Sequence, residues 1–474
     1  MVKLPVPKAM QYMVLYGISI VLMKGVSLFM LPFITHQLPP DEFGRLEVLT
    51  SIAMFASIIL GMGLSEALYR FAGAAQNEQA QKFHASQVMG ITLCIAILTL
   101  PFVWTAAALI GDLSPALFSR YELSLMFTVL AFESCIAVPL AWLRMRDKVW
   151  TFFLLTTGRA ISHAGLILLM LHAGKGVTGI LEAGFMVAMT QAVLLLIIQY
   201  RDTGIRIQRV KGREILSYSW PIMGSGLLAF TLNGFDRWVL AHFASLQDVA
   251  QYAVASKFAL AVVLMMQPFG MWWMPKRFGI LFGENGRYQA ARMTTHGLAL
   301  LGLITVSVNL VAPVFIHWLM PASYAQASLY AFVLILIAAL REICELLNLG
   351  ALATKSTRSL MMIQGLSAVV GVCLMILLTP AWSVWGILAA LLAAQFIRVL
   401  LIWRLSQARH PLPFRRKALA AGAALTAIVM SLSVISWNAI TQILVAGVAT
   451  LMLAWCFHHL QLLPDFIRHR VLSR

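Results

Sequence analysis

A chain of 474 residues that is 61% hydrophobic and only 11% charged, with a mean hydropathy of +0.85, is excluded from the soluble globular class. Its formal net charge of +17 would suit nucleic acid if the basic residues formed a patch. Instead 26 of the 35 Lys and Arg residues fall in one alternating set of connections between apolar runs, so the positive charge reports topology and no nucleic-acid partner is expected.

The apolar runs recur at 10–34, 47–69, 85–110, 121–143, 151–172, 179–200, 216–244, 252–274, 293–319, 328–350, 359–379, 385–405, 418–437 and 441–463. Each is long enough to cross a hydrocarbon core of ~30 Å. Lipid satisfies no backbone hydrogen bonds, and the runs lack the strict alternation of barrel strands, so the expected fold is all-α with about 14 transmembrane helices. Residues 1–8 are basic, but the run after them is too long for a signal peptide and lacks a small-residue cleavage site; it reads as a retained first span. The basic connections are the N-terminus, 70–84, 144–150, 201–215, 275–292, 351–358, 404–417 and 464–474, whereas the opposite set holds only Arg45, Arg120 and Lys175. Both termini are therefore expected on the cytoplasmic side. Connections on the other face are short and leave no room for an external catalytic domain. Segments 201–215 and 275–292 read as hinges or amphipathic linkers.

An internal duplication is legible at an offset of about 207 residues. Arg70–Phe71 matches Arg277–Phe278, Gly90 matches Gly297, and FGRLEV at Phe43 lies against VAQYAV at Val249. The copies are six spans apart, an even number, so the repeat is parallel, with its axis along the membrane normal. The expected division is two pseudo-symmetric six-helix lobes, 1–206 and 207–410, plus a C-terminal helix pair at 411–474. The first helix of each lobe carries breakers, Gly17, Gly25 and Pro32 in one and Pro221, Gly224, Gly226 and Gly234 in the other. Interrupted helices at matching positions point to a transport pathway, although membrane helices carry more Gly and Pro in general.

Ionisable residues inside spans cost roughly 2.5–3.5 kcal/mol each on insertion scales, so each is a functional candidate. Lys24 lies near the middle of the first span, and its i±3 and i±4 neighbours are uncharged, so it needs an acid on another helix, an aqueous cavity or an anionic substrate. Glu66 has Arg70 one turn on, which suits a local pair as well as a coupling-ion role. Glu133 and Arg159 lie on adjacent antiparallel spans, leaving ion pairing and cavity lining both open. Asp236 and Arg237 are consecutive and point about 100° apart, so they are not expected to face one partner. Lys257 is close enough to a span end to snorkel, and so is Arg398. Arg341 and Glu345 are spaced as an i,i+4 pair, which leaves Glu342 over. From Ala418 to Pro464 there is no charged residue, and the last two spans read as purely lipid-facing.

The cysteines, Cys94, Cys135, Cys344, Cys373 and Cys456, show neither CxxC nor His-paired spacing and read as small buried hydrophobes. His458–His459 lacks a third ligand in range. No phosphate-binding loop, nucleophile elbow, zinc-protease or calcium-loop pattern is present, so no cofactor and no bond chemistry is expected.

Four stretches carry a family resemblance. PFITHQLPPDEFGRLEV from Pro32 is similar to the P-x-x-x-x-x-L-x-P-x-E-[FY]-G loop of bacterial polysaccharide flippases, and GLSEALYRF from Gly63 resembles their second-span ending. FDRWVLAHF from Phe235 and YAVASKFA from Tyr252 resemble their central DR and Y-x-x-A-x-K hairpin. These flippases belong to the multidrug/oligosaccharidyl-lipid/polysaccharide exporter superfamily. The resemblance implies two lobes around a central cavity, alternating access, and a polyprenyl-pyrophosphate-linked oligosaccharide as substrate in the bacterial inner membrane. It implies membrane lipids, the polysaccharide polymerase and the chain-length machinery as further partners. Few basic residues in the first two spans set the chain apart from the peptidoglycan-precursor flippases. A cation-coupled multidrug antiporter, a membrane glycan polymerase or ligase, and a structural scaffold are the alternatives. The terminal charge-free pair, the short outer loops and Lys24 respectively argue against them.

Overall fold

The computed structural model describes residues 25–463 apart from 27, 74, 76, 116, 208, 232–233, 354–357 and 436, and every described regular element is helical. The first span expected, 10–34, therefore lies mostly outside the described residues; its end is helical over 28–37, straight through Pro32. Twelve described helices are long and apolar enough to cross a membrane, and a bent pair makes a thirteenth.

The helices, in chain order, are α1 (Pro40–Gly61), α2 (Leu64–Gly73), α3 (Glu78–Leu113), α4 (Arg120–Ala131), α5 (Glu133–Met145), α6 (Val149–His172), α7 (Gly176–Thr203), α8 (Arg209–Phe230) and α9 (Phe235–Phe243). They continue with α10 (Leu246–Leu281), α11 (Gly286–Leu319), α12 (Ala327–Leu347), α13 (Leu349–Leu352), α14 (Arg358–Trp382), α15 (Val384–Arg409), α16 (Arg416–Ser431) and α17 (Ala439–His459). The starts of α1, α3, α4, α6 and α7 recur in α10, α11, α12, α14 and α15, 206 to 209 residues later. That is the offset of the repeated sequence pairs.

Where helices start follows local chemistry. Pro40 supplies the fixed φ of a first helical residue, and Asp41 and Glu42 oppose the positive end of the dipole, so α1 begins seven residues before its apolar run. Ser119 and Glu122 form a reciprocal capping box on α4, and Ser245 and Asp248 do the same on α10. At 36 residues, α3 and α10 each run about 54 Å and must project beyond the hydrocarbon. The 275–292 linker is consequently mostly helix, and only 282–285 connects α10 to α11.

Among the described residues four helical stretches are interrupted, one of them at Asn348 between α12 and α13. Met62 and Gly63, at φ 46° and 65°, separate α1 from α2. Phe132 separates α4 from α5. The α8–α9 pair turns by 43° around 231–234, leaving Pro221 inside α8. At this break a Cβ on Gly234 would lie 2.2 Å from the Phe230 ring, so a larger residue there would force the ring to shift.

The chain divides into two compact units, Met1–Trp238 and Val239–Arg474. In the first, α2, α3 and α5 pack through small residues, Ala67, Ala72, Ala85 and Ala141, with Leu68, Met89 and Trp142 filling between them. The segment after α7 lies against α3, where Arg206 N donates to the Ser86 carbonyl at 3.0 Å. A Cβ at Gly90 would sit 2.2 Å from the Arg206 carbonyl oxygen, which accounts for glycine at that position. Asp202 closes this end of the unit: it accepts from Trp142 Nε1 at 2.8 Å and pairs with Lys82 and Lys148 at 3.5 and 3.6 Å.

In the second unit, α12 packs against α10, α11 and α15, and α14 against α15. The last two spans are not purely lipid-facing. Both α16 and α17 pack on α11, burying Met430, Leu453 and Phe457. Gln442, only 6% exposed, donates to the Leu310 carbonyl at 3.1 Å, and Ser307 meets Thr450 at 3.2 Å. Lack of charge does not mean lack of a polar seam, because neutral amides and hydroxyls join membrane helices at lower cost. Of the cysteines, Cys135 and Cys344 are buried as expected, whereas Cys373 is exposed on α14.

Candidate functional site

Polar groups concentrate at three places in the first unit. The first is where α1 passes the break before α9. Glu47 and Asp236 are 5% and 4% exposed, and Arg237 lies between them, with Nε 3.4 Å from Glu47 and Nη1 3.5 Å from Asp236. Asp236 sits in the first turn of α9, and its carboxylate accepts the Arg237 backbone N–H at 2.9 Å. Ser51 donates to the Gly234 carbonyl at 2.6 Å, fixing α1 to the broken backbone. Phe55, Phe230 and Trp238 cluster beside it with ring centroids 5.2 to 5.3 Å apart. The buried Trp238 Nε1 has no acceptor among the described residues.

The second place is one end of the unit. Arg45 grips Glu122 at 2.7 and 3.2 Å, and Thr178 donates to the same carboxylate at 2.7 Å, so α1, α4 and α7 converge on one buried acid. A bidentate guanidinium with a hydroxyl satisfies that carboxylate, which suits a structural clamp.

The third place is a groove between α6 and α7. Arg159 is the eleventh residue of a 24-residue helix, about 15 to 20 Å from either end, hence at mid-depth. Its Nη1 donates to Gln191 Oε1 at 3.0 Å, and Gln191 Nε2 donates to the Leu155 carbonyl at 3.1 Å. Glu133 does not reach it: that acid opens α5 at the Phe132 break, and no carboxylate pairs with Arg159 among the described residues. Beside the guanidinium lies a cavity of about 370 Å³ walled by Leu154, Leu166, Met186 and Leu194, with Ser162 and Thr190 as further polar groups. The groove thus sets one guanidinium against a mostly apolar wall.

Lys24 lies outside the described residues. Glu66 and Arg70 are both exposed on α2 and form no ion pair with each other. In the second unit, Lys257 is half-buried on α10, and Arg341 and Glu342 are half-buried on α12. Arg398 pairs with Glu345 at 3.5 Å. Glu345 also accepts from Asn348 at 3.1 Å, and Arg277 donates to Asn348 at 3.2 Å, so α10, α12 and α15 are linked by one polar chain.

Sequence reasoning misses Glu47 and Gln191. Rising hydropathy puts Glu47 at a span boundary; the Pro-Pro-Asp-Glu start signal upstream is what places it two turns inside α1. Gln191 carries no charge, and only its position opposite Arg159 reveals it.

Known proteins agree with this architecture. A family model described as polysaccharide biosynthesis protein matches residues 10–276. The succinoglycan biosynthesis transport protein ExoT of Rhizobium meliloti (strain 1021) is 26% identical over 242 residues, covering 50% of this chain and 46% of that protein, so the match spans about half the length of this curated relative. The structure of the lipid II flippase MurJ in an inward closed conformation superposes with a TM-score of 0.75 at 15% identity, covering 94% of this chain and 99% of that one. An inward-facing multidrug resistance MATE family transporter of the MOP superfamily gives 0.59 at 13% identity, covering 86% and 99%. These two likenesses concern the fold. With more than half of its length matched by the family model, this multi-pass membrane chain belongs to the polysaccharide biosynthesis protein family and has the fold of the MOP transporter superfamily.

Proposed function

We propose that the chain is a flippase that carries a polyprenyl-pyrophosphate-linked oligosaccharide repeat unit from the cytoplasmic to the periplasmic leaflet of the bacterial inner membrane, for surface polysaccharide synthesis. Both termini are cytoplasmic in this reading. The lobes are 1–206 and 207–410, with 411–474 as an appendix, and transport proceeds by alternating access. The polysaccharide polymerase and the chain-length machinery receive the product. No bond is made or broken, and the ion gradient or membrane potential supplies the energy, about 2.3 kcal/mol per charge per 100 mV.

The observation that carries the reading is Arg159: a mid-depth guanidinium held by a neutral amide, beside an apolar groove. A cationic drug is repelled there, whereas a diphosphate on a hydrocarbon chain satisfies both features. Family membership and the transporter fold support the same conclusion. Lys24, Asp236, Arg237, Lys257, Arg341, Glu342, Arg398, Glu66 and Glu133 are the further pathway candidates.

The test is surface glycan made by a deletion strain carrying each variant, normalised to membrane-fraction protein. Arg159→Lys should retain much of the export and Arg159→Met should abolish it at unchanged protein level. Lys24→Arg and Lys24→Met should behave in the same way. Full export by both Met variants would remove the anionic headgroup from the account.

A further inference from the structure

We propose that a basic cleft between α11 and the C-terminal helix pair binds the phosphate headgroup of an anionic phospholipid, at a site separate from the substrate pathway. The cleft has a volume of about 260 Å³ and is lined by Tyr288, Arg292 and His296 of α11, Pro413 and Arg415 ahead of α16, and Gln461 just past α17. No carboxylate lines it among the described residues.

Its walls are fixed by contacts that leave the cationic groups in place. Arg415 Nη1 donates to Gln461 Oε1, and His296 Nδ1 donates to the Leu462 carbonyl at 2.8 Å, so the end of α17 is held to both neighbours. Arg292 forms no ion pair among the described residues. Two guanidinium groups from different elements, with a phenol and an amide beside them, match the oxygens of a phosphate.

The level in the membrane suits a headgroup. The cleft lies at the end of the unit that carries Arg287, Arg409, Arg416 and Lys417, which positive charge assigns to the cytoplasmic leaflet. Basic pockets between helices at that level take anionic headgroups. The charge-free α17, which runs up to the cleft at Gln461, exposes Leu451, Met452 and Trp455 at 72%, 63% and 65%, apolar surface for acyl chains that a free phosphate would not use. The lipid would thus fasten the appendix to α11.

The test uses purified, delipidated full-length protein, with binding and melting temperature read on addition of phosphatidylglycerol, phosphatidylcholine or inorganic phosphate. Phosphatidylglycerol should bind and raise the melting temperature; the other two should not. R292Q and R415Q should each weaken phosphatidylglycerol binding about tenfold or more, from the loss of a charged hydrogen bond. R358Q, an exposed basic residue expected at the same end, should leave it unchanged. R292Q breaks no ion pair among the described residues, so it carries the test should R415Q fold poorly. Wild-type binding by R292Q, or equal binding of phosphatidylcholine, would overturn the proposal. An equal effect of inorganic phosphate would reduce the cleft to a small-anion site and overturn the lipid assignment.

Discussion

Glu47 shows how one residue links fold and pathway. It is buried on α1 and paired with Arg237 beside the break before α9, so removing it takes one of the two carboxylates, Glu47 and Asp236, from a cation in a low-dielectric site. Glu47→Ala should destabilise the protein by about 3 kcal/mol, and Glu47→Gln by less, because the amide still accepts a hydrogen bond. Melting temperature in detergent checks this; an unchanged Glu47→Ala would mean that the pair contributes nothing to stability. Arg159 differs in kind. Its partner is a neutral amide, so Arg159→Met relieves a desolvation cost and should leave the melting temperature equal or higher while abolishing export. A shared loss of both would make it a structural residue.

At the scale of elements, the C-terminal pair is where sequence and structure part most clearly. Hydropathy and the absence of charge locate both helices, but the seam on α11 is written in Gln442, Ser307 and Thr450, residues that a charge-based reading passes over. Truncation after Lys417 should therefore expose the α11 face and lower both membrane-fraction protein and melting temperature. Gln442→Leu should cost about 1 kcal/mol, as expected for one interhelical hydrogen bond in a membrane. A truncate as abundant and stable as the full chain would contradict the packing. The interrupted spans are legible in part. Gly234 marks the break between α8 and α9, where a Cβ would press on the Phe230 ring. The Phe132 break between α4 and α5 has no such marker and depends on tertiary packing.

At the scale of the whole molecule, the alternating charge of the connections and the 207-residue repeat are legible because topology and duplication are long-range patterns that survive local error. The recurrence of helix starts at 206 to 209 residues follows from them. Residue partners are not, since Arg159 meets Gln191 rather than Glu133 only once three helices are packed. Reporter fusions should place Asn77, Arg209, Gly286, Ser356 and Arg415 inside and Asp112, Gly174 and Ser323 outside. An inside result at any of the last three would overturn the topology. The central claim is that the protein moves an anionic lipid-linked glycan, and reconstitution addresses it directly. Proteoliposomes carrying a labelled polyprenyl-diphosphate oligosaccharide should show the label exchanging between leaflets, read by a membrane-impermeant reagent, with wild-type protein and Arg159→Lys but not with Arg159→Met. No exchange with wild-type protein under an imposed ion gradient and membrane potential, or equal exchange with Arg159→Met, would contradict the account.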